Sequence, residues 1–237
     1  GVSTAICNQI KNYLINEDLE NAVNFPLQDS SELKGISSFL ELADNLGVIH
    51  RNISEGPIRS VEINCYGTLD QIKPISLSFL RSLLQNRVPE RVNFINAETI
   101  AKELGIELSI NYSTLDSNYS NLISARVVAK NDIIFEGSVF NDDLPRLVNL
   151  MGYKMEVNLK GTLLFIQNDD VPGVVGKVGT ILGKNKINIG AYLLSQHSKE
   201  KLAFAVIRLD SPIDEKLIGE LQNVDEVKFV NQIQINS

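Results

Sequence analysis

The stretch from Gln167 to Gly190 reads QNDDVPGVVGKVGTILGKNKINIG. It sets two carboxylates, Asp169 and Asp170, against a Pro-Gly step and then spaces further glycines at Gly176, Gly179 and Gly183. Glycine-rich segments that open helices often hold phosphate, but the details here argue otherwise. A Walker loop needs Gly-Lys followed by Ser or Thr, because that hydroxyl holds Mg²⁺. Here Gly176-Lys177 is followed by Val178 and Gly183-Lys184 by Asn185, and no GxGxxG occurs. A helix beginning at Pro172 suits chemistry on a smaller scale. Proline costs nothing in the first turn, where its missing N–H has no partner to lose. The free N–H groups and the positive dipole end can take a carboxylate, and an adjacent Asp can take an ammonium. Two readings follow from these residues: a site for a small zwitterion, or an Asp that caps the helix and balances its dipole. Each interior glycine costs a helix about 1 kcal/mol relative to Ala. Their shared face therefore predicts a packing seam against a sheet or a partner chain.

Other candidate chemistry is sparse. His50 falls on an amphipathic helical pattern and His197 beside a polar turn, so both are expected to be structural or surface residues. Neither stands in a nucleophile pattern, and no His/Cys/Asp cluster has metal-ligand spacing. Cys7 and Cys65 lack CxxC spacing and read as small apolar residues in a reducing compartment. A formal charge of −7 with no Lys/Arg run argues against a nucleic-acid surface. No apolar run is long enough to span a bilayer, and no signal peptide is recognisable. A cytoplasmic protein without nucleic-acid or membrane partners is expected. The chain starts without Met and enters a helical pattern at once, which predicts a piece of something longer.

The elements that must position these residues fall into two sets. Helical periodicity predicts a helix from Ala5 to Asn16 and a second through DSSELKGISSFLELADNLGVIHRNI, capped at Ser30 or Ser31. Its buried face should hold Leu33, Ile36, Leu40, Ala43 and Leu46 or Gly47. A strand at GPIRSVEINCYG and helices at ISLSFLRSLLQ and NAETIAKELG come next. Short alternating runs (IELSINYS, NLISARVVAK, DIIFEGSVF, PRLVNLM, YKMEVNL) predict an antiparallel sheet. From TLLFIQN onward the order is βαββαβ, the ferredoxin-like arrangement, with both helices on one sheet face. The fold class is thus α+β, an antiparallel-sheet domain followed by a ferredoxin-like one. Boundaries are expected at 1–26, 27–159 and 160–237, the last two abutting rigidly across NLKG.

The motif NDDVPGVVGKVGTILGKNKINI resembles the ACT domain, and most of all the ACT module of long-form D-3-phosphoglycerate dehydrogenases. VNFINAETIAKELGIEL, SNLISARVVAKNDIIFEGSVF and PRLVNLMGYKMEV resemble the intervening, allosteric substrate-binding domain of that family. GVST and NAVNFP are similar to the end of its substrate-binding domain. The resemblance implies an amino-acid effector, usually L-serine, held between paired ACT domains in a homodimer or homotetramer. Asp170 matches the side chain meeting the effector's ammonium, and Val171, Pro172, Gly173 and Val174 match the helix start meeting its carboxylate. Asn188, followed by Ile189, matches the residue reaching in from the neighbouring subunit. Asn168 stands where relatives carry His or an aromatic. Arg146 and Lys154 match basic positions implied to hold phosphate or a phosphoglycerate anion, while Asn158 stands where some relatives put Arg. No cofactor or catalytic residue is implied in this segment. NAD belongs to the full-length enzyme, which oxidises 3-phosphoglycerate in the first step of serine synthesis. A free-standing ACT module acting in trans, and the regulatory part of an iron–sulfur L-serine dehydratase, are the alternatives.

Overall fold

The computed structural model describes residues 30–67, 69, 71–114, 119–140, 143–197 and 201–235. The helix expected at Ala5–Asn16, Cys7 and the GVST and NAVNFP segments lie outside them.

Helix α1 (Ser30–Ile53) is the long amphipathic pattern read from the sequence. It buries Ile36, Leu42, Ala43, Leu46, Ile49 and Ile53, while Leu40 is only half-buried. After strand β1 (Ser60–Gly67), helix α2 (Ile72–Leu84) packs across α1. Gly47 marks the closest approach: a Cβ there would lie 2.5 Å from the Phe79 carbonyl oxygen and 2.9 Å from the Ser82 Cβ. Ser78 Oγ donates to the Leu40 carbonyl at 3.0 Å, and Arg81 reaches Asp44 at 2.7 Å. Here glycine permits backbone-to-backbone contact that any side chain would prevent.

Short helix α3 (Ala97–Glu103) precedes β2 (Glu107–Ser113), β3 (Asn121–Val128), β4 (Asp132–Val139), β5 (Pro145–Leu150) and β6 (Tyr153–Asn158). These strands and β1 form one sheet in the order β2-β1-β3-β4-β5-β6. The expectation of a wholly antiparallel sheet is corrected at one pair, since β1 and β2 run parallel. Parallel neighbours need a crossover of a dozen residues or more, and α2 and α3 supply it. Alternation alone could not reveal the direction of β2.

The chain changes sheet between Asn158 and Gly161. β7 (Gly161–Asp169), α4 (Val174–Lys184), β8 (Ile189–Gln196), β9 (Leu202–Leu209), α5 (Glu215–Gln222) and β10 (Val227–Ile235) follow the βαββαβ order. The strand order β10-β7-β9-β8, antiparallel throughout, is the ferredoxin-like topology. Both helices cover one face, packing Val174, Val178, Leu182, Leu217 and Leu221 onto Leu164, Ile166, Ala205 and Ile207. The opposite face carries Leu163, Phe165, Phe204, Val206, Ile233 and Ile235, and these belong to the core of the first sheet and α1. Burial on both faces explains why LLFI and LAFAVI are unbroken apolar runs.

Polar contacts cross the same junction. Gln167 Nε2 donates to the Tyr153 hydroxyl at 3.3 Å, and Asn231 Nδ2 to the Asn52 carbonyl at 3.2 Å. The Tyr153 ring lies 5.4 Å from Phe204 and 5.3 Å from His197.

His50 is a core residue, in keeping with the structural role expected for it. It is fully buried, its Nε2 lies 3.0 Å from the Ala125 carbonyl, and its ring packs on Phe79 and Phe135. Burial pushes its pKa down to about 3, so the imidazole is neutral and donates to Ala125 through Nε2–H. Cys65 is buried likewise, and burial pushes its thiol up to about 12, far from reactive.

Candidate effector site

The opening of α4 is built by a change in backbone, not by a side-chain cap. Gly173 is the N-cap residue at φ +100°, a left-handed conformation that suits glycine. Having no side chain, it leaves the first N–H groups of the helix without an intrahelical or cap acceptor. Neither Asp169 nor Asp170 supplies one. Asp169 ends β7 and turns to Lys228, with its carboxylate 2.8 Å from Nζ. Asp170 holds its backbone by donating N–H to the Lys201 carbonyl at 3.0 Å. Its carboxylate is exposed and accepts two hydrogen bonds from Gln196 Nε2, at 3.0 and 2.8 Å. The capping role weighed for either Asp is thus absent among the described residues. An exposed carboxylate stands near an open helix start.

The remaining residues of that segment divide by burial. Val171 is 47% exposed and Pro172 and Gly173 are exposed, whereas Val174 is buried under the helix. Asn168 is only 4% exposed, and its Nδ2 donates to the Asp169 carbonyl at 2.7 Å. It shapes the strand end from inside instead of facing solvent. Asn188 and Ile189 lie elsewhere. Asn188 is exposed and exchanges backbone contacts with Asp210, whose Oδ1 accepts its N–H at 3.3 Å. The register sets Asp169 opposite Leu202 and Ile189 opposite Leu209, at the two ends of β9. At ~3.3 Å per residue those ends are roughly 20 Å apart. One small ligand cannot touch Asp170 and Asn188 of the same chain.

The glycine stripe of α4 packs against nothing among the described residues. A Cβ at Gly176, Gly179 or Gly183 would meet nothing within 4 Å, so the expected seam against the sheet is corrected: the sheet contacts the Val174–Val178–Leu182 side. Val175 beside the stripe is 46% exposed. A hollow of about 540 Å³ runs from Gly176 and Thr180 to Asn223 and Asp225, and none of the effector candidates lines it. Lys177 at its edge pairs with Glu226, which holds that carboxyl below its ordinary range.

The two anion candidates do not converge. Arg146 on β5 is half-buried with its guanidinium 4.9 Å over the Phe140 ring, opposite Asn158 in register. Lys154 is exposed and opposite Asn149, four positions from Asn158 on β6, and Glu156 stands between them on the same strand face. A carboxylate between two cations disfavours an anion bridging both. Sequence reading did not single out Gln196. Its position at the end of β8, level with the end of β7 and one strand removed from it across β9, is a matter of sheet register that no local motif records.

Among the described residues no group of three or more His, Cys, Asp or Glu could hold a metal ion, and no helix is long and apolar enough to cross a membrane.

Residues 35–151 match the family model described as the D-3-phosphoglycerate dehydrogenase intervening domain. The chain is 27% identical over 237 residues to the D-3-phosphoglycerate dehydrogenase of Bacillus subtilis, covering 99% of this chain and 45% of the relative. It is 28% identical to that of Methanocaldococcus jannaschii, covering 98% of this chain and 44% of the relative. The chain therefore spans less than half the length of these relatives. Among solved structures, the ACT domain from the GTP pyrophosphokinase of Chlorobium tepidum matches 31% of this chain and 97% of its own, at 17% identity and a TM-score of 0.27. The chain carries a D-3-phosphoglycerate dehydrogenase intervening domain at residues 35–151 and is related to D-3-phosphoglycerate dehydrogenases along almost its whole length.

Proposed function

We propose that this chain is the regulatory portion of a D-3-phosphoglycerate dehydrogenase and senses L-serine through its ferredoxin-like domain. The whole enzyme would oxidise 3-phosphoglycerate with NAD, using domains this segment does not contain. The observation that carries the sensing role is the exposed Asp170 carboxylate near an uncapped helix start at Gly173. Asp170 would take the ammonium, and the free N–H groups following Pro172 would take the carboxylate.

The separation of Asp170 from Asn188 supports a site shared between two copies of the chain. In a two-fold pair, the Asn188 end of one sheet would meet the Asp170 end of the other, giving two equivalent sites. Serine bound there would fix the angle between the paired domains. Because the sheet shares its core with the intervening domain, a change in that angle would move the intervening domain as well. Regulation requires only that serine bind one arrangement better than the other.

Isothermal titration of the chain with L-serine tests the reading. Saturable heat that is lost in Asp170→Ala and in Asn188→Ala supports it. No heat, or heat unchanged in both variants, overturns it.

A further inference from the structure

Where the two sheets part, a cavity of about 190 Å³ opens between β6 and the face of the second sheet. Its floor is apolar, made by Leu163 of β7, Leu193 of β8 and Val206 of β9, with Ala191 beside them. Its wall is Glu156 to Asn158 of β6, which among the described residues is an edge strand that turns alternate backbone groups away from its partner, β5. Arg208 completes the lining. Phe204, Val206 and Arg208 alternate onto one face of β9, and Phe204 and Val206 are within the shared core. Arg208 is therefore the residue at which that face leaves the core and enters the cavity.

The charged groups are unspent. Among the described residues Arg208 has no carboxylate at ion-pair distance and makes only a long contact, Nη2 to the Gly190 carbonyl at 3.5 Å. Gly190 has no unusual φ to require glycine. A Cβ there would come within 3.2 Å of Arg208 Nε, so its absence makes room for the guanidinium. Glu156 also has no ion-pair partner among the described residues. Asn158 sets its Oδ1 into the wall, buried and without a hydrogen-bond donor among the described residues, an arrangement that costs stability until a donor arrives.

We infer that this interdomain cavity binds a small α-amino acid with an aliphatic side chain, by its carboxylate on Arg208 and its ammonium on Glu156. A simple anion would meet the Glu156 carboxylate, and a simple cation would meet Arg208. A zwitterion satisfies both. The floor has no hydroxyl or amide to pair with a polar side chain, which favours an aliphatic one, and the ligand's ammonium supplies the donor that Asn158 Oδ1 lacks. Size sets the other limit, because 190 Å³ falls below the roughly 300 Å³ at which pockets begin to take drug-sized ligands. This site is separate from the Asp170 site and does not depend on it.

The test is a titration of the full chain, methyl-labelled for NMR, with L-valine. The expected result is saturable movement of the Val157, Leu163, Leu193 and Val206 methyls, weakened at least tenfold in Arg208→Gln and in Glu156→Gln and unchanged in Asp170→Ala. Both substituted side chains are exposed, and the unperturbed spectrum of the remaining methyls reports that the fold is intact. Three results would overturn the inference: no movement of these methyls well into the millimolar range, movement with the same midpoint in both cavity variants, or loss of binding in Asp170→Ala.

Discussion

Gln196 Nε2 donates to both carboxylate oxygens of Asp170, at 3.0 and 2.8 Å, joining the last residue of β8 to the loop that opens α4. The amide occupies the oxygens that an effector's ammonium would use. An exposed hydrogen bond to a charged group is worth about 1.5 kcal/mol net or less, because water competes for both partners. Removing the amide in Gln196→Ala is expected to tighten L-serine binding by about 2- to 10-fold, read by calorimetry. Weaker binding in that variant would show that Gln196 contacts the ligand instead of competing with it.

The core shared between the two sheets carries a stability consequence. Phe204 is fully buried and packs on Phe165 and Tyr153, so truncation leaves a cavity bordered by both domains. Phe204→Ala is expected to cost about 3–5 kcal/mol. Chemical denaturation should still show one transition, moved as a whole to lower denaturant. Two separated transitions would mean that the domains unfold independently.

His50 should make the fold sensitive to acid. Its folded pKa, about 3, lies below the ordinary 6.5 because burial disfavours the imidazolium and Arg87 adds a further cationic penalty. The unfolded chain therefore binds a proton below pH 6.5 that the folded chain refuses. The stability from His50 is complete above pH 6.5 and falls as pH drops toward 3, by about 1.4 kcal/mol per pH unit once well below 6.5. His50→Gln should be less stable at pH 7 and show a shallower decline between pH 6 and 4 in denaturation titrations.

Two kinds of helical glycine should respond oppositely to alanine. Gly47→Ala places a Cβ 2.5 Å from the Phe79 carbonyl, so overpacking of about 1–3 kcal/mol is expected. At Gly176 and Gly179 the added methyl meets open space, and each substitution should stabilise the isolated chain by up to about 1 kcal/mol. Thermal melts of the three variants check both signs. Destabilisation at Gly176 and Gly179 would show that their stripe seats against another chain.

Much of this was legible in residues alone. The βαββαβ order could be read because Pro172, the glycines and the NKIN turn punctuate periodic runs. The carboxylates before the helix could be read as a candidate site because residue type and position both suit a helix start. The parallel pairing of β1 with β2 could not, since a strand's alternation is the same in either direction. Gln196 was invisible for a related reason. It meets Asp170 across 26 residues through sheet register, and no local spacing encodes that contact. The burial of Asn168 was not legible either, because a polar residue at a strand end can satisfy its amide on the neighbouring backbone and remain buried.

The claim that serine sits between two copies of the chain has a direct test. Asp170→Ala and Asn188→Ala chains, each without serine binding alone, are mixed under conditions that allow subunit exchange and titrated with L-serine by calorimetry. In a mixed pair one site loses both residues and the other keeps both, so the expected result is recovered binding at one site per mixed pair with near wild-type affinity. Absence of recovery after verified exchange, or undiminished binding in either single variant, would contradict a site built from Asp170 of one copy and Asn188 of the other.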